Sequence, residues 1–169
     1  MGTWLNNDGL FIKYGASEAA SQDTTKQPAG DYNTGGDPRS VTEVVLDLTD
    51  LNTSTAVILN DVLVLPKNVR IEEVEVEVVT AAAGATATLD VGLIKTDRTT
   101  VIDGEAFVKA AAVTTLDAAG KRLNLIVGST AAGDLIGTTT AFPGLLTAKA
   151  GTAAFSAGLV RVRVKWFAV

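Results

Sequence analysis

Residues 69–79 read Val-Arg-Ile-Glu-Glu-Val-Glu-Val-Glu-Val-Val, and this stretch decides the fold class. Its second half alternates valine and glutamate with a period of two, which predicts a β-strand with one buried face. The alternating residues are Glu73, Val74, Glu75, Val76, Glu77 and Val78. Upstream, Val69 and Ile71 alternate in the opposite phase. Because a slip of one residue moves a side chain to the other face, we expect a β-bulge or bend at Glu72–Glu73.

The far end of the chain carries a complementary pattern. Residues 159–169 alternate apolar and basic residues, and the basic ones are Arg161, Arg163 and Lys165. If this strand lies beside residues 69–79, every charge meets its opposite across the strands, for about 0.2–1 kcal/mol a pair. The alternative is that each charged face is simply solvated. Pairing of such distant strands predicts an antiparallel β-sandwich of Greek-key or jelly-roll type, an all-β fold.

Short apolar segments separated by turn signals predict the remaining strands. They are expected at residues 41–48, 56–59, 62–65, 86–94, 123–127 and 145–148. The sequence Leu65-Pro66-Lys67-Asn68 predicts a turn, and residues 80–85 predict a hairpin loop of small residues. Gly92, on the outer face of its strand, indicates a close approach by another backbone segment.

One short helix is expected at Asp103–Val113. Asp103 is a suitable N-cap, and Phe107, Ala110 and Ala111 follow the i, i+3, i+4 spacing of a helix face. The prediction is therefore a mainly β domain with a single short helix.

Composition limits the possible functions. The 169 residues include no His and no Cys, and the net charge is -5. These counts exclude a Ser-His-Asp triad, a thiolate nucleophile and a cysteine zinc site, and the acidity disfavours nucleic acid as a partner. No segment reaches the ~20 apolar residues that span a bilayer, and the opening residues lack the features of a secretion signal.

Residues 1–40 differ in character from residues 41–169. They are rich in Gly, Asn, Asp, Ser and Thr, and they include Trp4, Phe11 and Tyr14, three of the nine aromatic residues of the chain. Burying one large ring gains about 1.5–3 kcal/mol, so these residues indicate an extended N-terminal arm that binds a partner; an unstructured terminus is the alternative. The expected partner-binding residues are Trp4, Leu5, Leu10, Phe11, Ile12 and Tyr14. Residues 41–169 are expected to form the β-sandwich domain.

Catalytic motifs are missing from the sequence. It contains no P-loop, no GxSxG elbow and no GxGxxG sequence that opens a helix. Its carboxylate pairs, such as Glu72–Glu73 and Asp47–Asp50, are better explained by a strand face and a loop than by glycoside hydrolysis or calcium binding. We therefore predict no catalytic, metal-binding or cofactor-binding residues, and no enzymatic activity.

Several segments resemble the small virion proteins of tailed bacteriophages. They are the opening Met1–Gly15, Leu65-Pro66 followed by residues 69–79, Leu89-Asp90-Val91-Gly92, and residues 96–100. In that group, small β-sandwich proteins often serve as capsid decoration (cement) proteins. The resemblance implies a homotrimer on the outer surface of the head, made in the host cytoplasm and bound to the major capsid protein lattice.

Two other functions remain open from the sequence. A tail, fibre or head-fibre component would use the loops of the sandwich to bind a receptor or carbohydrate. A polysaccharide depolymerase would need two carboxylates about 5–10 Å apart in a cleft. The loops here are rich in Thr, Ala and Gly, and aromatic residues are scarce, which favours the capsid role over both.

Overall fold

The computed structural model describes residues 39–60 and 63–169. Nine β-strands account for most of this part of the chain. They are β1 (Arg39–Asp47), β2 (Val57–Ile58), β3 (Val64–Leu65), β4 (Val69–Ala83), β5 (Thr88–Lys95), β6 (Val101–Ala112), β7 (Arg122–Leu125), β8 (Gly144–Ala150) and β9 (Ala157–Ala168).

The strands form two antiparallel sheets, as the alternating pattern predicts. The first sheet has the order β1-β9-β4-β7, and the second has the order β2-β8-β5-β6 with β3 also paired to β8. The early strand β1 and the late strand β9 are thus neighbours in the first sheet. The chain is an all-β sandwich.

The core lies where the inward faces of the two sheets meet. The first sheet contributes valines at alternate positions, and the second contributes mainly leucines. These residues include Val74, Val76, Val160, Val162 and Val164 from the first sheet and Leu89, Val91, Leu93 and Leu146 from the second, all at most 1% exposed. At about 25 cal/mol per Å² of apolar surface removed from water, this burial is the main force that holds the sheets together.

The bulge predicted in β4 is confirmed. Ile71 pairs with Trp166 and Glu73 pairs with Lys165, so one extra residue, Glu72, lies on β4 between two successive pairs. This insertion lets Ile71 and Val74 both point into the core, where each is fully buried. The charged side chains that follow the bulge consequently share the outer face.

The predicted helix at Asp103–Val113 is wrong, because these residues belong mainly to β6. The spacing of four between Phe107 and Ala111 fits a strand as well as a helix, since both residues also fall on one face at a period of two. Asp103 does accept a hydrogen bond from the Glu105 N–H at 2.8 Å, yet the chain continues as a strand. The helical elements of the described residues are 3-10 turns at Leu48–Asp50 and Val113–Thr115.

The predicted hairpin at residues 80–85 is also wrong. Strand β4 continues to Ala83, and the turn that follows leads into β5 of the opposite sheet rather than back along β4. Small side chains at Ala81, Ala82 and Ala83 suited a loop in the sequence. In the fold, Ala83 pairs with Ala157 at the end of β9.

The close approach predicted at Gly92 is confirmed. A Cβ atom on Gly92 would lie 2.5 Å from the carbonyl oxygens of Asp103 and Gly104, because β6 carries extra residues that cross over β5 here. A side chain at this position would collide with backbone that cannot rotate away. The glycine is therefore needed to bring β6 over the outer face of the second sheet.

Candidate interaction surface

The outer face of the first sheet carries a continuous set of ion pairs. In β4 and β9, Glu73 lies opposite Lys165, Glu75 opposite Arg163 and Glu77 opposite Arg161. This is the register that the charge pattern of the sequence predicts. Two further strands contribute: β1 places Glu43 beside Arg163, and β7 places Arg122 beside Glu77. We call these eight side chains the charged network.

Several side chains of the network each contact more than one partner of opposite charge. Arg163 contacts three carboxylates: its Nε is 2.6 Å from Glu43 Oε2, its Nη2 is 2.9 Å from Glu77 Oε2, and its Nη1 contacts Glu75. Glu77 in turn accepts from Arg122 at 2.9 Å and from Arg161 at 3.1 Å. Because the contacts are shared, ordering one side chain positions it for several ion pairs at once.

Burial makes this network stronger than an ordinary set of surface charges. The side chain of Glu75 is 9% exposed and that of Glu77 is 17% exposed, whereas Arg122 at the rim is 55% exposed. Charges shielded from water interact more strongly than exposed ones. They also leave a costly unpaired charge if a partner is removed. Breaking an ion pair at the centre of the network is therefore costly.

Burial and neighbouring charges shift the pKa values of the network in opposite directions. Desolvation pushes the pKa of Glu77 upward, but the charges and hydrogen bonds of Arg122 and Arg163 outweigh it and hold that pKa below its usual value. Hydrogen bonding to Glu43 raises the pKa of Arg163, and Glu75 and Glu77 add to this rise. One donor is left over, since the Nε of Arg161 is buried without a hydrogen-bond partner and lies 3.7 Å from Glu43 Oε1.

Apolar side chains border the network on β1. Val41 is 56% exposed and Val45 is 53% exposed, and they stand on either side of Glu43 on the outward face. They lie opposite Lys165 and Arg161 respectively. Thr42 and Val44, at the intervening positions of the strand, are buried. The outward face of β1 thus presents an apolar–acidic–apolar pattern.

A groove of about 390 Å³ lies on the outer side of the second sheet. Its polar lining includes the carboxylates of Asp90, Asp103 and Glu105 together with Lys149, and none of the lining residues is aromatic. Asp90 and Lys149 lie opposite each other on β5 and β8. The groove is a concave feature of the kind that can hold a small polar ligand.

Asp90 has a structural partner inside this groove. It is 6% exposed, and its Oδ1 accepts a hydrogen bond at 2.8 Å from the N–H of Ala110. Ala110 has a positive φ of 50° at a point where β6 gains an extra residue relative to β5. Desolvation and, to a smaller extent, the nearby Glu105 raise the pKa of Asp90 by more than the Ala110 hydrogen bond and Lys149 lower it. The carboxyl group therefore satisfies a backbone donor that the strand irregularity leaves without a strand partner.

The structure thus brings together some of the residues that the sequence singled out. The six cross-strand charges lie in one network, whereas Trp4, Leu5, Leu10, Phe11, Ile12 and Tyr14 lie outside the described residues. Sequence reasoning missed Glu43, Arg122 and Asp90. The alternation through β1 could have placed Glu43 outward beside Val41 and Val45. Nothing local marked Arg122 or Asp90, because their partners come from distant strands.

Within residues 39–60 and 63–169, no three side chains of the metal-ligating types His, Cys, Asp and Glu come together in a way that could hold a metal ion. Over the same ranges, no helix has the length and apolar character needed to cross a membrane.

Comparison with known proteins shows the fold. No protein-family model matches the chain, and no curated protein matches it. A chain of the capsid of Ralstonia phage GP4 is similar, with 18% identity and a TM-score of 0.53 over 78% of this chain and 84% of that one. A chain of the cyanophage Pam1 capsid asymmetric unit has 17% identity and a TM-score of 0.54 over 90% of this chain and 100% of that one. The protein therefore has a β-sandwich fold that also occurs in chains of phage capsids.

Proposed function

We propose that this protein is a phage virion structural protein, a capsid decoration (cement) protein that binds the major capsid protein lattice on the outer surface of the head. One observation carries the proposal: this chain has the fold of chains from two phage capsids. The matches cover 78% and 90% of this chain and 84% and 100% of those chains, so the chains are similar in length. A small capsid subunit fits a protein that is added to a shell rather than one that builds it.

The strand order supports a jelly-roll form of the sandwich. Successive strands cross repeatedly between the sheets, so that β1, β4, β7 and β9 form one sheet and the others form the second. Central strand β9 is hydrogen-bonded on both sides, by β1 and by β4. The resulting body presents its charged network on one face. A sandwich whose central strand is bonded on both sides suits a subunit that clamps its neighbours in place.

The N-terminal arm, predicted over residues 1–40 and ending where β1 begins at Arg39, supplies the proposed contacts with the capsid and with neighbouring copies of this chain. Its apolar residues Trp4, Leu5, Leu10, Phe11, Ile12 and Tyr14 would be buried on binding, each large ring contributing about 1.5–3 kcal/mol. In a homotrimer three arms act together, and linked binding events raise the overall affinity far above that of one arm. The proposed partners are thus the major capsid protein and two further copies of this chain.

Deletion of residues 1–38 tests this function. The cut leaves Arg39 in place because β1 begins there. We expect the shortened protein to keep the cooperative unfolding of the sandwich and to lose binding to capsids lacking the protein, measured by co-sedimentation. Full capsid binding by the shortened protein contradicts the proposed role of the arm. Density for the protein on the head shell in a particle reconstruction checks the location independently.

A tail, fibre or head-fibre component is the second candidate function. The groove lined by Asp90, Asp103, Glu105 and Lys149 favours it, because a receptor-binding or carbohydrate-binding module needs a polar concave site. The lack of aromatic lining residues counts against sugar stacking. Density at the tail rather than on the head in the same reconstruction would support this candidate.

A further inference from the structure

Strand β1 has a long edge that no described residue covers. Its nine residues pair with β9 on one side, from Arg39↔Phe167 to Asp47↔Leu159, without a register shift. On the other side, no backbone hydrogen bond reaches β1 from residues 39–60 or 63–169. An open, regular edge of this length presents unpaired N–H and C=O groups and is a template for adding another strand.

The other long edges of the sandwich are each bonded by a neighbouring segment over part of their length. The outer edge of β6 is bonded by the segment 131–135, through Lys109 N–H to Ala131 O at 2.9 Å and Leu135 N–H to Ala106 O at 3.0 Å. The start of β4, beyond the end of β7, is bonded by Thr138 and Thr140. Strand β7 itself has four residues and β2 has two. The open edge of β1 is therefore an exception within the part of the chain that the structure describes.

The side chains along this edge specify what could pair with it. Outward, β1 presents exposed Val41, then Glu43, whose side chain is 44% exposed, then exposed Val45. Inward, it presents Val44 and Leu46 at 7% and 5% exposure, at the margin of the core. A matching strand needs a basic residue opposite Glu43, an apolar residue on that same face, and apolar residues on the inward face.

The sequence Leu10-Phe11-Ile12-Lys13-Tyr14 has this pattern. Set antiparallel to β1 with Lys13 opposite Glu43, it places Phe11 opposite Val45 on the outward face. On the inward face it places Ile12 opposite Val44, Leu10 opposite Leu46 and Tyr14 opposite the buried Thr42, so two of the three inward pairs are apolar. The parallel arrangement with the same charge pair would put Leu10 and Ile12 opposite Ser40 and Thr42, which loses the apolar match.

We propose that residues 10–14 of a second copy of this chain add to β1 as an antiparallel strand, in the register Lys13↔Glu43. Residues 15–38, 24 residues in all, span up to about 80 Å when extended, enough to reach a neighbouring copy. Each copy gives one segment and offers one edge, and such a head-to-tail contact forms a ring, such as the proposed trimer, when the rotation between copies closes. The inference rests on the self-association in the proposed function and gives it a structural basis.

Disulfide trapping tests the register, because the chain has no cysteine of its own. A single Gly15→Cys variant is mixed with a single Val41→Cys variant, its partner in the proposed register, under mild oxidation. The control mixes Gly15→Cys with Val45→Cys, a site of nearly equal exposure about 13 Å further along the strand. A disulfide needs Cα atoms within about 7 Å. We expect linked dimers on a non-reducing gel at least about tenfold faster with Val41→Cys.

The charge pair is tested in the same assay. Adding Lys13→Glu to Gly15→Cys places two acids opposite each other and should slow trapping at least about threefold, whereas Lys13→Arg should leave it unchanged. Equal trapping at Val41→Cys and Val45→Cys overturns the proposal, and faster trapping at Val45→Cys indicates parallel addition and overturns it too. A disulfide formed only within one chain that carries both cysteines overturns the exchange between copies. None of these readouts uses capsids, so they are separate from the test of capsid binding.

Discussion

The guanidinium of Arg163 joins β9 to β1 through a 2.6 Å hydrogen bond from its Nε to Glu43 Oε2, a contact between residues 120 positions apart. The same side chain also contacts Glu75 and Glu77 on β4. Arg163 thereby ties the strands on both sides of β9 together on the outer face. Val162 and Val164, which flank Arg163 in the sequence, lie on the opposite face of β9 and are fully buried in the core.

Replacement of Arg163 should cost far more stability than replacement of Arg122. An Arg163→Met variant leaves three carboxylates without their shared cation, including Glu75 at 9% exposure. We expect it to lower the free energy of unfolding by about 1–3 kcal/mol, measured by urea denaturation. Arg122→Met, at a side chain 55% exposed, is the matched control and should cost less than about 1 kcal/mol. Equal losses for the two variants would contradict the central role of Arg163.

Acidification should weaken the charged network. Because the pKa of Glu77 is held below its usual value of 4.5, its ionised form stabilises the fold above that pH. That stabilisation is lost as the pH falls through the lowered folded-state pKa. We expect the free energy of unfolding to decline as the pH drops below about 4.5. In Glu77→Gln the decline should be smaller, and an unchanged pH profile in that variant would rule out the contribution of Glu77.

Substitution at Gly92 should be severely destabilising. The new Cβ of Gly92→Ala would meet the carbonyl oxygens of Asp103 and Gly104 at 2.5 Å, so β6 must move off β5. Overpacking of this kind typically costs about 1–3 kcal/mol. Gly104→Ala is the control, since a Cβ there meets nothing within 4 Å. Thermal unfolding of both variants checks the pair, and a Gly104→Ala loss as large as that of Gly92→Ala would contradict the explanation.

Period-two alternation is what made most of the fold predictable. Inward valines and outward glutamates in β4, with the change of phase at Glu72, were enough to place the strand, its bulge and its pairing with β9. Because one face of such a strand is buried and the other is exposed, the alternation of apolar and polar residues identifies both faces. The same logic explains why the close approach at Gly92 could be anticipated.

The errors arose where one local pattern fits two structures. The spacing of Phe107 and Ala111 satisfies both helix and strand periods, and only the hydrogen bonds of β6 to β5 and to residues 131–135 decide between them. The role of Asp90 was hidden because its partner, the N–H of Ala110, depends on an irregularity in another strand. Contacts that depend on tertiary placement leave no signal in a single sequence.

Asp90 should tolerate Asn better than Ala, and the difference identifies its role. Burial raises the pKa of Asp90 more than the Ala110 hydrogen bond lowers it, while Glu105 adds to the rise and Lys149 opposes it. The net rise disfavours the ionised form in the folded protein. The stability that this raised pKa provides is full at low pH and is lost as the pH rises through the folded-state value. Asp90→Asn keeps an oxygen acceptor for the Ala110 N–H and removes the charge. It should therefore match or exceed the wild-type stability at pH 7 and equal it near pH 3.

The Asp90→Ala variant separates the hydrogen bond from the charge. It leaves the buried Ala110 donor without its 2.8 Å partner, which should cost about 1–3 kcal/mol at both pH values. Urea denaturation of the three proteins at pH 7 and pH 3 gives the comparison. A loss in Asp90→Asn at pH 7 as large as that in Asp90→Ala would show that the charge itself is required, and the groove on the second sheet would then merit direct tests of cation binding.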